Sequence, residues 1–283
     1  MSFLDRIALC RSWDPAAYRP FVIDGRALGR VGHDLARRLS DFPRVFQVGE
    51  TAVVLNPALA DFESRGRAVE DVLRPLSEAG EVGRWRGEAY PVLRRWGEPP
   101  LMVLDRGAVP TFGVRGFGVH LNGLVEGPEG LRVWVARRSL DKPTAPGKLD
   151  HIVAGGQPHG LGIRENLAKE CAEEADIPAE LAARAVAVGA VSYRCGRSEG
   201  LRDDVLFCFD LDLPPDFLPN NTDGEVESFS LWPIERVIET VRESDDFKFN
   251  VNLVILHLLI RRGLIGPDEP HYQEILEGLW LAE

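Results

Sequence analysis

Between Ala154 and Ile177 the chain runs AGGQPHGLGIRENLAKECAEEADI. The stretch opens on Gly155-Gly156-Gln157-Pro158, a turn composition, and closes on a segment with Glu170, Glu173 and Glu174. Residues three and four apart share a helix face, so the spacing predicts three carboxylates projecting together. Adjacent anions repel unless a cation lies among them, and hard oxygen ligands suit Mg2+ or Mn2+. A solvated helix face is the plain reading of E-x-x-E-E taken alone.

In its order of residues the stretch resembles the Nudix box, G-x5-E-x7-R-E-U-x-E-E-x-G-U, with U aliphatic. Aligned without gaps, Gly155 is the first glycine, and Glu170, Cys171, Glu173, Glu174 and Ile177 fall on E, U, E, E and U. Leu161 stands in place of the first glutamate, Lys169 in place of the arginine and Asp176 in place of the second glycine. Glu165, four residues before Lys169, is the expected replacement for the supporting acid, since that order favours a helical ion pair. The resemblance covers roughly residues 109–262. It implies an α/β/α sandwich around a mixed sheet, and hydrolysis of a diphosphate linkage by water with Mg2+ or Mn2+ as cofactor. It further implies that Gly155, Glu170, Glu173 and Glu174 hold the metal, with Glu173 and Glu174 acting on ligated water.

Three segments sharpen the resemblance: FGVRGFGVHLNG, IVAGGQPHGLGIRENLAKECAEEADIP and DGEVESFSLWPIERV. Together they are similar to a Nudix group with an extra N-terminal domain, fused in some fungi to thiamine pyrophosphokinase. That likeness covers nearly the whole chain and implies thiamine diphosphate, or its oxidised analogues, as substrate and the monophosphate as product. Nucleoside diphosphate derivatives are the alternative substrates, and a non-catalytic Nudix-fold sensor is the alternative function. An isopentenyl diphosphate isomerase would need a catalytic cysteine, and Cys171 sits inside the box helix instead.

Length sets the next limit. At 283 residues the chain suffices for one large or two smaller domains. Its α/β pattern divides into a small α+β domain, residues 1–108, and a Nudix domain, residues 109–283. The net charge of −11 argues against non-specific binding to nucleic acid or anionic membrane. The resemblance implies a small-molecule diphosphate as the partner, with a homodimer left open. Asp5 and Arg6 interrupt the apolar N-terminus, which fits a signal peptide poorly. Four cysteines without C-x-x-C spacing read as buried thiols in a reducing cytoplasm.

In the first domain Phe21-Val22-Ile23 reads as a strand entering a turn at Asp24-Gly25, and residues 31–39 as a helix. A hairpin follows around Gly49-Glu50. Val69 to Leu76 reads as a helix limited by Pro75. Trp85, between Arg84 and Arg86, is either an interface residue or a ring-binding one. In the second domain, residues 117–125 and 131–137 alternate as strands. Arg137 and Lys148 flank a loop upstream of the box and are candidate phosphate contacts. Residues 185–193 and 204–211 read as strands joined by a charged loop, Arg194 to Asp203. Alternation after Gly224 puts Glu225 and Glu227 on one strand face, which makes them the candidate acids outside the box. Asp203 and Asp204 are the alternatives. Residues 234–241 and 251–262 read as closing helices.

Overall fold

The computed structural model describes residues 2–281. Helix α1 (Phe3–Leu9) starts at Ser2, whose hydroxyl and the Asp5 carboxylate cap each other's backbone N–H. Strands β1 (Tyr18–Ile23) and β2 (Arg26–Gly32) form a hairpin. At its tip Asp24 and Gly25 take positive φ of 50° and 73°, the twist that suits a two-residue hairpin turn. Helix α2 (His33–Leu39) and strands β3 (Phe46–Val48) and β4 (Val53–Leu55) complete a four-stranded sheet, ordered β2-β1-β4-β3 with β1 and β4 parallel.

Helix α3 (Phe62–Glu78) buries Val69, Val72, Leu73 and Leu76 against this sheet's core. It runs past Pro75 rather than ending there. Pro75 is exposed on the outer face, so the carbonyl it leaves unbonded meets water. Strands β5 (Ala89–Val92) and β6 (Met102–Asp105) form a separate hairpin, and the short helix α4 (Val109–Phe112) follows. Val109, Phe112 and Val114 bury in the same core as Phe21 and Val69.

The second unit is built on a seven-stranded mixed sheet. Its strands are β7 (Arg115–Gly127), β8 (Gly130–Arg138), β9 (Leu149–His151) and β10 (Val153–Gly156), then β11 (Val186–Arg197), β12 (Gly200–Asp212) and β13 (Val226–Pro233). The path runs β11-β12-β7-β8-β13, with β10 beside β7 and β9 beside β8; β7 and β12 are parallel. Helices α5 (Ile163–Ala175) and α6 (Ala179–Ala182) cover one face through Leu167, Cys171, Ala175 and Ala182. Helices α7 (Ile234–Glu243), α8 (Val251–Arg261) and α9 (Tyr272–Gly278) cover the other. This is the three-layer arrangement implied by the sequence resemblance.

Three placements differ from the sequence reading. Phe3, Ile7 and Cys10, grouped by position with the first domain, pack against Trp232, Val237 and Leu253 of the second. Residues 194–203 are no loop: β11 and β12 continue as a hairpin closed by Ser198-Glu199. Arg194 pairs with Asp203 across the strands at 2.6 Å, and Arg202 with Asp204 along β12 at 3.6 Å, so the segment's charges are matched while it stays extended. Lastly, Glu225 and Glu227 do not share a strand face. The side chain of Asn221 accepts from the Asp223 and Gly224 N–H groups, which holds Glu225 in a turn before β13. Glu227 falls where the β8–β13 register shifts, so alternation is lost there.

Candidate active site

Strand β10 delivers Gly155 and Gly156 beside Val119 and Gly118 of β7. The loop that follows is fixed by side-chain amides. Gln157, fully buried, donates to the Leu161 carbonyl at 2.8 Å. Asn166, also fully buried, donates to the Gly156 carbonyl at 2.9 Å. Each leaves its amide oxygen without a protein partner. Neither amide was singled out in the sequence. For Asn166 the readable signal was a polar residue beside Leu167 on the inward side of α5.

Helix α5 then carries the acids. Leu167, Cys171 and Glu174 lie on its inward stripe. Successive helical residues are turned by about 100°, so the three glutamates fan out instead of projecting as one. Glu174 is buried and accepts from the Ala154 N–H at 2.7 Å. The Glu170 side chain is 15% exposed and lies against Gly155, where any Cβ would overlap its carboxylate. Glu173 points outward, half exposed. Lys169 sits between the last two, 2.6 Å from Glu173 and 3.4 Å from Glu170.

The proposed Glu165–Lys169 support is therefore corrected. Glu165 turns back to accept from the Gly162 N–H at 3.3 Å and caps the helix. Lys169 prefers the two glutamates ahead of it. The other departures have local reasons. Leu161 serves the site through its carbonyl. Asp176 ends α5 at φ 53°, a left-handed position that aspartate tolerates better than most residues.

Burial pushes the Glu170 carboxyl up, with Lys169 opposing, and pushes Glu174 well above the usual carboxylate range. Among the described residues no ammonium or guanidinium pairs with Glu174. A buried carboxylate without a cation is an unstable arrangement. Glu170 against Gly155, the buried Glu174 and the Gly155 carbonyl offer oxygens that suit a hard divalent ion; Glu173 points away from them, and among the described residues the close three-ligand cluster is His120, Asp150 and His151.

The remaining candidates are placed as follows. Arg137 donates to the Gly147 carbonyl at 2.9 Å, and Lys148 to the Asp245 carbonyl. Both bind loop backbone upstream of the box. Glu225 pairs with Lys142. Burial pushes its carboxyl up, but Lys142 outweighs this and holds it below the usual range. Glu227 is exposed. The alternative acids are taken: Asp203 by Arg194 and Arg115, Asp204 by Tyr193 and Arg202. Trp85 packs on the first domain's core with the Arg74 guanidinium 4.8 Å from its ring. It lines a cavity of about 160 Å³ with Glu70, Leu73, Glu88 and Asp105.

Contacts from the first domain reach the box directly, which no local pattern announced. The His159 N–H donates to the Ala89 carbonyl at 2.8 Å, and the Phe62 and His159 rings lie 5.4 Å apart. The Tyr90 hydroxyl fills the space a Cβ on Gly156 would need. Beneath the sheet a second polar group is buried: His120 and His151 meet through their Nδ1 atoms at 3.0 Å, and Asp150 beside them pairs with Arg138 at 2.8 Å and Lys248 at 3.4 Å.

No described helix is long and apolar enough to cross a membrane. Residues 2–116 match a family model described as a domain of unknown function, DUF4743. The solved structure of a MutT protein from Methanosarcina mazei Go1 superposes with TM-score 0.40 at 17% identity, over 53% of this chain and 95% of that one. Nudix hydrolase 24, chloroplastic, of Arabidopsis thaliana is 42% identical over 98% of this chain and 77% of its own length. Nudix hydrolase 20, chloroplastic, of the same plant is 41% identical over the same shares. With that identity sustained along nearly its whole length, the chain belongs to the Nudix hydrolases.

Proposed function

We propose that the chain hydrolyses a diphosphate linkage by attack of water on phosphorus, with Mg2+ or Mn2+ bound at Gly155, Glu170, Glu173 and Glu174. The observation that carries this reading is Glu174, a buried carboxylate with no protein cation, one helical turn from a second carboxylate pressed against Gly155. A bound divalent ion supplies charge neutralisation and lowers the pKa of water. The chain's own residues do the rest. The Ala154 N–H orients Glu174, and Gln157 and Asn166 hold the turn that presents the Gly155 carbonyl. Lys169 keeps Glu170 and Glu173 from repelling each other. In this reading Glu173 takes the proton from attacking water. The P–O bond to the bridging oxygen breaks, that oxygen stays with one phosphate, and water's oxygen is added to the other.

The substrate in this reading is thiamine diphosphate or an oxidised analogue, cleaved to the monophosphate and phosphate in a reducing compartment such as the cytoplasm. Support comes from the three segments that resemble that Nudix group. Phosphate release is to be measured with thiamine diphosphate, its oxy and oxo analogues, ADP-ribose and a dinucleoside polyphosphate, with Mg2+ and with excess EDTA. The thiamine compounds are expected to turn over only with metal. Turnover in EDTA would overturn the metal reading, and turnover of nucleotides alone would overturn the substrate class.

A further inference from the structure

Helix α5 and the box turn concentrate negative charge, yet a diphosphate must approach them. The basic groups in the second domain near this region are bound elsewhere. Lys169 sits between glutamates, Lys142 pairs with Glu225, and Arg137 and Lys148 bind backbone carbonyls. The first domain brings another. The β5–β6 hairpin lies against the box turn through the Ala89 carbonyl, and the Tyr90 hydroxyl abuts Gly156. Arg106, one residue beyond β6, is tied to this hairpin by its own N–H, which donates to the Glu88 carbonyl at 2.8 Å. Its guanidinium stands 5.9 Å from the Tyr90 ring centroid and pairs with Glu88 at 3.1 Å. Its side chain is 46% exposed, so a ligand can reach it.

We propose that Arg106, carried by the first domain, is a diphosphate-binding residue of the box site, with Tyr90 positioning it and Glu88 as the partner it leaves for substrate. The inference rests on the hydrolase reading and adds a role for a domain of unassigned function. Arg106 borders the Tyr90 ring whose hydroxyl abuts Gly156 of the box turn. Its partly exposed pair with Glu88 is of a kind worth little in water. Exchanging that partner for phosphate gains a bidentate, charge-assisted contact. Glu88 holds the guanidinium in place until substrate arrives. Tyr90, only 6% exposed, is a rigid wall under it.

The test is calorimetric binding of methylenediphosphonate, a non-hydrolysable diphosphate, in Mg2+. It is run beside kcat and KM on the best substrate of the screen, using the full chain. Arg106→Ala is expected to weaken methylenediphosphonate binding about 10- to 100-fold and to raise KM more than it lowers kcat. Arg106→Lys should recover part of the loss, and Glu88→Gln should bind as well as the parent or better. Melting temperatures check the fold. Should Arg106→Ala unfold, Glu88→Gln and Arg106→Lys still report, and a loss in Glu88→Gln equal to the loss in Arg106→Lys would overturn the proposal. Parent-like affinity in a folded Arg106→Ala would overturn it while leaving the hydrolase reading intact. A parent that neither binds the probe nor releases phosphate with Mg2+ would overturn both.

Discussion

Glu173 and Glu174 are neighbours in sequence with different work. Glu173 is half exposed and shares Lys169 with Glu170, while Glu174 is buried against the Ala154 N–H. In the proposed mechanism each Glu→Gln change removes a ligand or a base, and it removes little packing volume. Each is expected to lower kcat by about 100-fold or more, read as initial rates of phosphate release at saturating Mg2+. Their stabilities should part. Glu174→Gln keeps an oxygen for the Ala154 N–H and removes a charge from an apolar stripe, so in EDTA it should melt no lower than the parent. Mg2+ should raise the melting temperature of the parent more than that of the variant, since binding to the folded state stabilises it. Equal metal-induced shifts would move the metal away from Glu174.

At the scale of elements, the short strand β9 holds a buried ionic group in the middle of the sheet. Burial pushes the Asp150 carboxyl up, but Lys248 and Arg138 outweigh this and keep it ionised below the usual range. Burial lowers His151 to about 4, with Asp150 opposing, and lowers His120 well below its usual value, with His151 and Lys248 adding to the shift. The Nδ1–Nδ1 contact needs one ring to donate and the other to accept, so the accepting ring must be neutral and the contact is lost when both are protonated. A histidine with a depressed folded pKa contributes stability above its unfolded pKa and loses it as pH falls. The window therefore runs from about pH 6.5 down to about 4, and His151 alone accounts for about 3 kcal/mol across it. Urea melts at pH 7 and pH 4.5 should show this loss in the parent and a smaller one in His151→Gln; an unchanged loss would place the acid sensitivity elsewhere. The sequence was legible where pattern is local: the turn at Asp24-Gly25, the strands of the large sheet, and the helices α7 and α8. It misled where an element is decided by its neighbour. Arg194 to Asp203 has the composition of a loop, but its charges are matched within a hairpin. Glu165 satisfies both an i,i+4 pair and a capping box, and only the orientation of Lys169 chooses between them. Glu225 and Glu227 alternate on paper, and a bulge removes the alternation. The box itself was readable because its residues are contiguous; Arg106 was not, because only the packing of two domains brings it there.

At the scale of the whole molecule, the first domain is bracketed by the second. Helix α1 leaves the N-terminal region and buries Phe3, Ile7 and Cys10 among α7, α8 and α9, before the chain builds the first sheet and returns at β7. Arg6, 2% exposed, donates to the Val241 carbonyl at 2.7 Å and to the Ser244 carbonyl, and pairs with Asp245, which satisfies the C-terminal end of α7. On the other side Arg11 binds the Gly278 carbonyl at the end of α9, and Ile7 packs so close to Gly278 that a Cβ there would clash. The sheet face opposite α5 is thus closed by both ends of the described chain. Two consequences follow for stability. Phe3→Ala, which empties a side chain 1% exposed, should lower stability by about 3–5 kcal/mol, although Phe3 lies far along the sequence from the core it fills. A chain that begins at residue 109 keeps the box and loses α1, so it should expose the α7–α8 face, bind a hydrophobic dye and lack a cooperative melt. Adding a separate peptide of residues 2–12 should restore part of that transition. A chain from residue 109 that melts as sharply and as high as the full protein would show that α1 is a cover rather than a part of the core.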